Sequence, residues 1–166
     1  GETIGFDGKV VTAVFGRKLE EVLASKTVNF SYKEDLADAL WIDRPTFKQN
    51  EVIVPEDEIG LFGKTTSEKL DEVRDKLKEA GVCALVLSKL DDIMWLFNIR
   101  GCDVECNPVA LSYAYIMKEE SILFIQEKAL DEGIIAYFVE NNVTLKPYTE
   151  VVEYVKTLPG KCKVLA

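Results

Sequence analysis

The sequence predicts an α/β fold, a mixed sheet with helices on both faces, and three observations predict it. From Thr65 onward, strand-like runs alternate with helix-like ones, the pattern of parallel strands joined by helical crossovers. Two strand-like runs, 110–116 and 121–125, are separated only by Met117, Lys118, Glu119 and Glu120. So short a connection cannot cross over, so this pair must be an antiparallel hairpin inside an otherwise parallel arrangement. A composition of 48% hydrophobic and 30% charged residues over 166 residues supports a sizeable core under a solvated surface.

In order along the chain, 3–7 reads as a short strand and 11–23 as a helix, because Val11, Phe15, Leu19 and Val22 recur at helical spacing. A strand over 27–32 and a short helix over 35–41 follow. From Arg44-Pro45 to Pro55 the chain is charged, polar and flanked by prolines, which disfavour regular structure. A boundary is expected there, with residues 1–50 as one unit, 51–63 as a linker and 64–166 as a second domain. Thr65 and Glu68 form a capping box, and Leu70, Val73, Leu77 and Ala80 then make one apolar stripe ending at Gly81, where helices commonly stop. Next come a strand (82–88), a short helix (92–97), a loop, the two hairpin strands, a helix (131–141), a strand (143–146), a helix (150–158) and a strand (163–166). The opening strand-helix-strand-helix is too short to be a sheet domain and reads as the tail of a preceding one. Gly1 in place of an initiator Met, and strand-like runs at both ends, lead us to expect an excised piece.

A net charge of −9 without any Lys/Arg run repels a phosphate backbone, so no nucleic-acid partner is expected. No apolar stretch approaches the roughly 20 residues a membrane span needs, so no membrane partner is expected either. Cys83, Cys102, Cys106 and Cys162 are scattered, which suits reduced thiols, and Cys83 inside an apolar run reads as a small core residue. The chain has no His, so the commonest catalytic base and zinc ligand are both missing. Asp91 and Asp92 read as the N-cap region of a short helix, and Asp103 and Glu105 as exposed loop carboxylates.

The stretch 90–116, LDDIMWLFNIRGCDVECNPVALSYAYI, concentrates the remaining signal. A helix bearing Trp95 and Phe97 runs into Asn98-Ile99-Arg100-Gly101, a polar loop with Asp103, Asn107 and Pro108, and a strand with Tyr113. Arg100 beside a turning glycine has two readings of equal weight. One presents its guanidinium at a rim to bind a carboxylate; the other pairs it with Asp103 to hold the loop.

This stretch is similar to the pattern L-D-E-I-A-W-L-x-N-x-R-G-x-D-x-x-x-N-P-V-x-x-S-Y in the second domain of three-domain Xaa-Pro aminopeptidases, of the creatinase/prolidase family of metallopeptidases. Trp41-Ile42-Asp43-Arg44-Pro45 resembles the W-x-D-R-P motif leading out of their first domain. The resemblance places Trp41, Asp43, Arg44, Pro45, Asp91, Trp95, Asn98, Gly101 and Pro108 in family motifs and implies a creatinase N-terminal-domain-like fold of ribonuclease-H-like topology. Residues 1–50 then correspond to the end of the first domain and 64–166 to the second. It further implies that the parent hydrolyses the bond between an N-terminal residue and proline with two divalent metal ions, usually manganese, in a separate pita-bread domain. This piece would hold no metal and no catalytic residue. It would cap the active-site cleft, partner the parent's own catalytic domain and its proline-containing peptides, and support a cytoplasmic homodimer. Arg100, Asp103, Asn107 and Tyr113 are the residues expected nearest substrate. Ala110 departs from a bulky aromatic in the pattern and is expected to widen a contact surface or a pocket wall. A different class of reading is a catalytically dead creatinase-like module that binds peptide or protein.

Overall fold

The computed structural model describes residues 2–35, 37–45, 51–55, 60, 62–158 and 163–166, and the chain divides into two units, Gly1–Phe47 and Lys48–Ala166. In the smaller unit β1 (Glu2–Gly5) and β2 (Val28–Ser31) pair in parallel, with Glu2 opposite Val28, and α1 (Ala13–Leu23) connects them. The Thr12 hydroxyl accepts from the Phe15 N–H, so the helix starts just after it and Val11 lies outside. No residue of α1 is buried.

The helix expected over 35–41 does not form among the described residues. The Asp35 carboxylate instead accepts from the Ala37 and Asp38 N–H groups and takes the Arg44 guanidinium at 2.5 Å. Such local side-chain bonds offer the backbone an alternative to helix, and here turns win. The Arg44 hydrogen bond holds the Asp35 carboxyl below its ordinary range.

The larger unit is a five-stranded sheet ordered β6-β5-β4-β3-β7. Its strands are β3 (Ala84–Leu87), β4 (Ser112–Met117), β5 (Ser121–Ile125), β6 (Val143–Pro147) and β7 (Val164–Leu165). β4 runs antiparallel to both β3 and β5, while β5–β6 and β3–β7 are parallel, which is the mixed sheet that the short connection after Met117 demands. All five residues of β5 are buried, so this strand is covered on both faces.

One face carries the larger core. α2 (Thr66–Glu79), α3 (Leu90–Phe97) and α4 (Glu132–Glu140) bring Leu70, Leu77, Ile93, Phe97 and Phe138 onto Ala114, Ile116, Leu123 and Ile125. Phe97 and Phe138 meet edge to face at 5.8 Å, and each buried aromatic contributes about 1.5–3 kcal/mol. The opposite face gathers Ala84, Tyr115, Ile122 and Phe124 under Val151 and Tyr154 of α5 (Val151–Lys156). At α2 the expected capping box is complete: the Thr65 hydroxyl accepts from the Glu68 N–H, and the Glu68 carboxylate accepts from the Thr65 N–H. Gly81 follows at φ +64°, in the left-handed conformation that glycine adopts freely.

Three local expectations are corrected. Part of the segment read as linker belongs to the larger unit: Val52 is 1% exposed, and Ile53 exchanges backbone hydrogen bonds with Arg100. The other expected linker residues 56–59 and 61, together with 46–50, lie outside the described residues, as does Cys162. Cys83 is neither core nor a reduced thiol. It is exposed and disulfide-bonded. Asp91 and Asp92 do not cap α3; Lys89 is the N-cap, and the two carboxylates lie in the first turn within ion-pair distance of its ammonium.

Candidate functional site

The exit from α3 organises the stretch in which the sequence signal concentrates. Asn98 closes the helix at φ 53°, a left-handed position for which Asn is the best-suited side chain after glycine, and its N–H reaches the carbonyls of Met94 and Trp95. Its side-chain oxygen accepts from the Lys69 ammonium at 2.5 Å, and its amide donates to the Lys64 carbonyl. Lys69, 2% exposed, also donates to the Trp95 carbonyl at 2.8 Å and lies 4.5 Å from the Trp95 ring centroid. A buried ammonium thus meets the negative end of α3 and an aromatic face. Nearby, the Tyr137 hydroxyl donates to the Phe97 carbonyl at 3.0 Å and shares a 2.6 Å hydrogen bond with Thr66; burial pushes its pKa up.

Arg100 follows neither expected course in full. Its Nη1 donates to the Ile99 carbonyl at 2.7 Å and to the Met94 carbonyl at 3.4 Å, another cation on the end of α3. Asp103 is not its partner: Oδ2 accepts from the Leu111 N–H at 2.7 Å, and Oδ1 is shielded from solvent without a hydrogen bond among the described residues. The next residue, Gly101, is required by a close approach of chain. A Cβ there would lie 2.7 Å from the Ala110 Cβ and 2.9 Å from its backbone N and Cα. Ala110 is 1% exposed and fills this contact, so its small size serves packing and does not widen a pocket wall.

A recess of about 200 Å³ remains between α3 and the 101–110 loop. It brings together Asp91, Trp95, Arg100, Asn107 and Pro108, with Val109 at its base. Asp103 and Tyr113 do not line it. Tyr113 stacks on Tyr148 at 5.3 Å, and burial, reinforced by a hydrogen bond from the Tyr148 hydroxyl to Tyr113 and by the Tyr113 charge, raises the Tyr148 pKa to about 12. In the smaller unit, Arg44 lies 5.9 Å from the Trp41 ring centroid.

Lys69 and Tyr137 are the residues that sequence reading missed. Lys69 does carry a signal: it stands four residues before Val73 on the apolar stripe, where a charge must find a partner if the stripe is buried. Among the described residues no three His, Cys, Asp or Glu side chains are placed to hold a metal ion. With no His in the sequence and no such cluster among them, the described residues do not fit a dinuclear metal centre.

A mixed sheet covered on both faces defines an α/β domain, and its polar side chains Lys69, Asn98, Arg100 and Asp103 bond helix ends and the loop after α3. The creatinase/prolidase N-terminal domain model matches residues 43–166, and the chain belongs to that family. It is 38% identical over 156 residues to Xaa-Pro aminopeptidase app-1 of Caenorhabditis elegans, covering 93% of this chain and 25% of that protein. It is 37% identical over 163 residues to a probable Xaa-Pro aminopeptidase P of Chaetomium globosum, covering 95% of this chain and 26% of the relative. The solved X-prolyl aminopeptidase of C. elegans, described as a cytosolic enzyme with a di-nuclear active site, superposes with a TM-score of 0.81 at 38% identity, over 93% of this chain and 25% of that one. The chain therefore spans about a quarter of the length of these relatives.

Proposed function

We propose that this chain is a non-catalytic region of a metal-dependent Xaa-Pro aminopeptidase, and that it caps the active-site cleft of a catalytic domain carried elsewhere in the parent. The observation that carries this reading is identity of 38% across 93% of the chain to one such enzyme. That the described donors do not fit a dinuclear centre supports chemistry carried in another part of the parent. Its contribution is then steric and electrostatic: it limits access to the free end of a peptide and orients that peptide before cleavage. We further propose two manganese ions in the parent's catalytic domain, a homodimeric parent and a cytoplasmic location, the last supported by the cytosolic description of the C. elegans enzyme. Arg100, Asp103, Asn107 and Tyr113 remain the proposed substrate-side residues. Only Arg100 and Asn107 line the recess; the proposed role of Asp103 is to hold the loop that carries Asn107, through its bond to Leu111.

The test is release of an N-terminal residue from Xaa-Pro peptides. The purified parent is expected to turn them over only with a divalent metal, and this chain alone is expected to release nothing with or without manganese. Turnover by this chain alone, or none by the metal-loaded parent, would refute the reading; the second outcome would indicate the catalytically dead binding module.

A further inference from the structure

We propose that the recess between α3 and the 101–110 loop binds a carboxylate carried on an apolar body of about one residue, with Arg100 as the anion partner. The argument begins with the donors Arg100 has left over. A guanidinium offers five N–H groups, and in this fold Nη1 alone is engaged, on the carbonyls of Ile99 and Met94. Among the described residues Nε and Nη2 make no hydrogen bond. The same two carbonyl contacts and the backbone bridge to Ile53 hold Arg100 in place, so little side-chain freedom is lost when an anion arrives.

The surroundings narrow the ligand further. The Asn107 side-chain amide also lines the recess, a second donor and acceptor that makes no hydrogen bond among the described residues. Trp95, 55% exposed, and Pro108 supply an apolar wall, and a volume of about 200 Å³ holds one residue rather than a folded partner. Asp91, at the opposite side of the chemistry, accepts cations; its exposed carboxylate lies 3.7 Å from Lys89. One cation, one anion, one amide and an aromatic wall suit a terminal residue with a free carboxylate, either a free amino acid or the end of a peptide. The choice of proline as the apolar body rests on the functional reading above; the carboxylate does not.

The probe is N-acetyl-L-proline, titrated into the ¹⁵N-labelled full chain while the two indole N–H signals are followed, with Trp41→Phe identifying that of Trp95. We expect a saturable shift of the Trp95 signal, no saturable shift with N-acetyl-prolinamide, and binding about tenfold or more weaker in Arg100→Gln, the scale of a hydrogen bond to a charged group. Because Arg100 also caps α3, Asn107→Ala is the companion variant; its side chain makes no hydrogen bond among the described residues, and it too should weaken binding. Free L-proline binding more tightly than the acetylated form would identify the zwitterionic amino acid, through Asp91, and the reverse order would identify a peptide end; either order supports the site. Equal responses to acid and amide, saturation by acetate at the same concentration, or unchanged binding in a folded Arg100→Gln chain would overturn it. Loss of this binding with Xaa-Pro hydrolysis by the parent intact removes only this inference, whereas binding without hydrolysis by the parent removes only the functional reading.

Discussion

Helices α1 and α2 begin alike and end differently. Each starts on a threonine whose hydroxyl accepts a backbone N–H three residues on, and each carries an apolar stripe. Yet α1 buries no residue, while α2 buries Thr66, Lys69, Leu70 and Leu77. The difference lies in what each unit provides beneath its helix. Among the described residues the smaller unit has two strands, too few to make a layer, and the larger has five. Capping and periodicity are local and suffice to form a helix; burial needs a second layer long enough to receive it.

The largest expected effect contrasts two phenylalanines. Phe138, fully buried against Phe97 and Tyr137, should cost about 3–5 kcal/mol when cut to alanine, whereas Phe15 of α1, 57% exposed, should cost under about 0.5 kcal/mol. Urea unfolding of both variants checks this, and comparable losses would erase the distinction between the units.

Next is the α3 exit. Asn98→Ala removes the side-chain oxygen that faces the Lys69 ammonium and also places an alanine at positive φ, so a loss of about 2–3 kcal/mol is expected. Asn98→Gly relieves the backbone but not the ammonium and should recover only part of it. Full recovery by glycine in the same urea experiment would show that Lys69 gains nothing from Asn98.

Gly101→Ala should cost about 1–3 kcal/mol, because the added Cβ meets both the side chain and the backbone of Ala110. Adding Ala110→Gly should not restore stability, since the backbone N and Cα remain 2.9 Å away. Restoration in thermal melts of the double variant would mean that the loop moves aside freely.

The smallest effect at neutral pH is at Tyr148. Its hydroxyl keeps its proton in the fold up to about pH 12 but loses it near 10 when unfolded, so the folded state binds more protons between these values. Stability from this group is complete below pH 10 and declines as pH rises toward 12. Tyr148→Phe should flatten that alkaline decline in pH-dependent melts and leave stability below pH 9 nearly unchanged; an unaltered slope would show that another group carries it.

Most elements of the larger unit were legible because their signals are local. The Thr65/Glu68 box, Gly81 after α2 and the short connection between β4 and β5 each follow from chemistry within a few positions. The short helix expected at 35–41 failed on the same ground: Asp35 bonds its own neighbours, and a competing local bond carries no signature in apolar spacing. The candidate site was only half legible. The family-like stretch marked Trp95, Asn98, Arg100 and Asn107 as belonging together, but it assigned Arg100 a choice between solvent and Asp103 when the fold gave part of it to the α3 carbonyls.

By itself the sequence determined the class of fold, the hairpin that makes its sheet mixed, and the lack of a histidine for chemistry within this chain. Only the tertiary structure decided which charges are buried. Lys69 stands close to an apolar stripe and Arg100 beside a turning glycine, but whether each meets water or a helix end depends on where α2, α3 and the 51–55 segment pack together. Helix propensity and strand pattern act over one or two turns, whereas desolvation of a charge is set by every layer that closes over it.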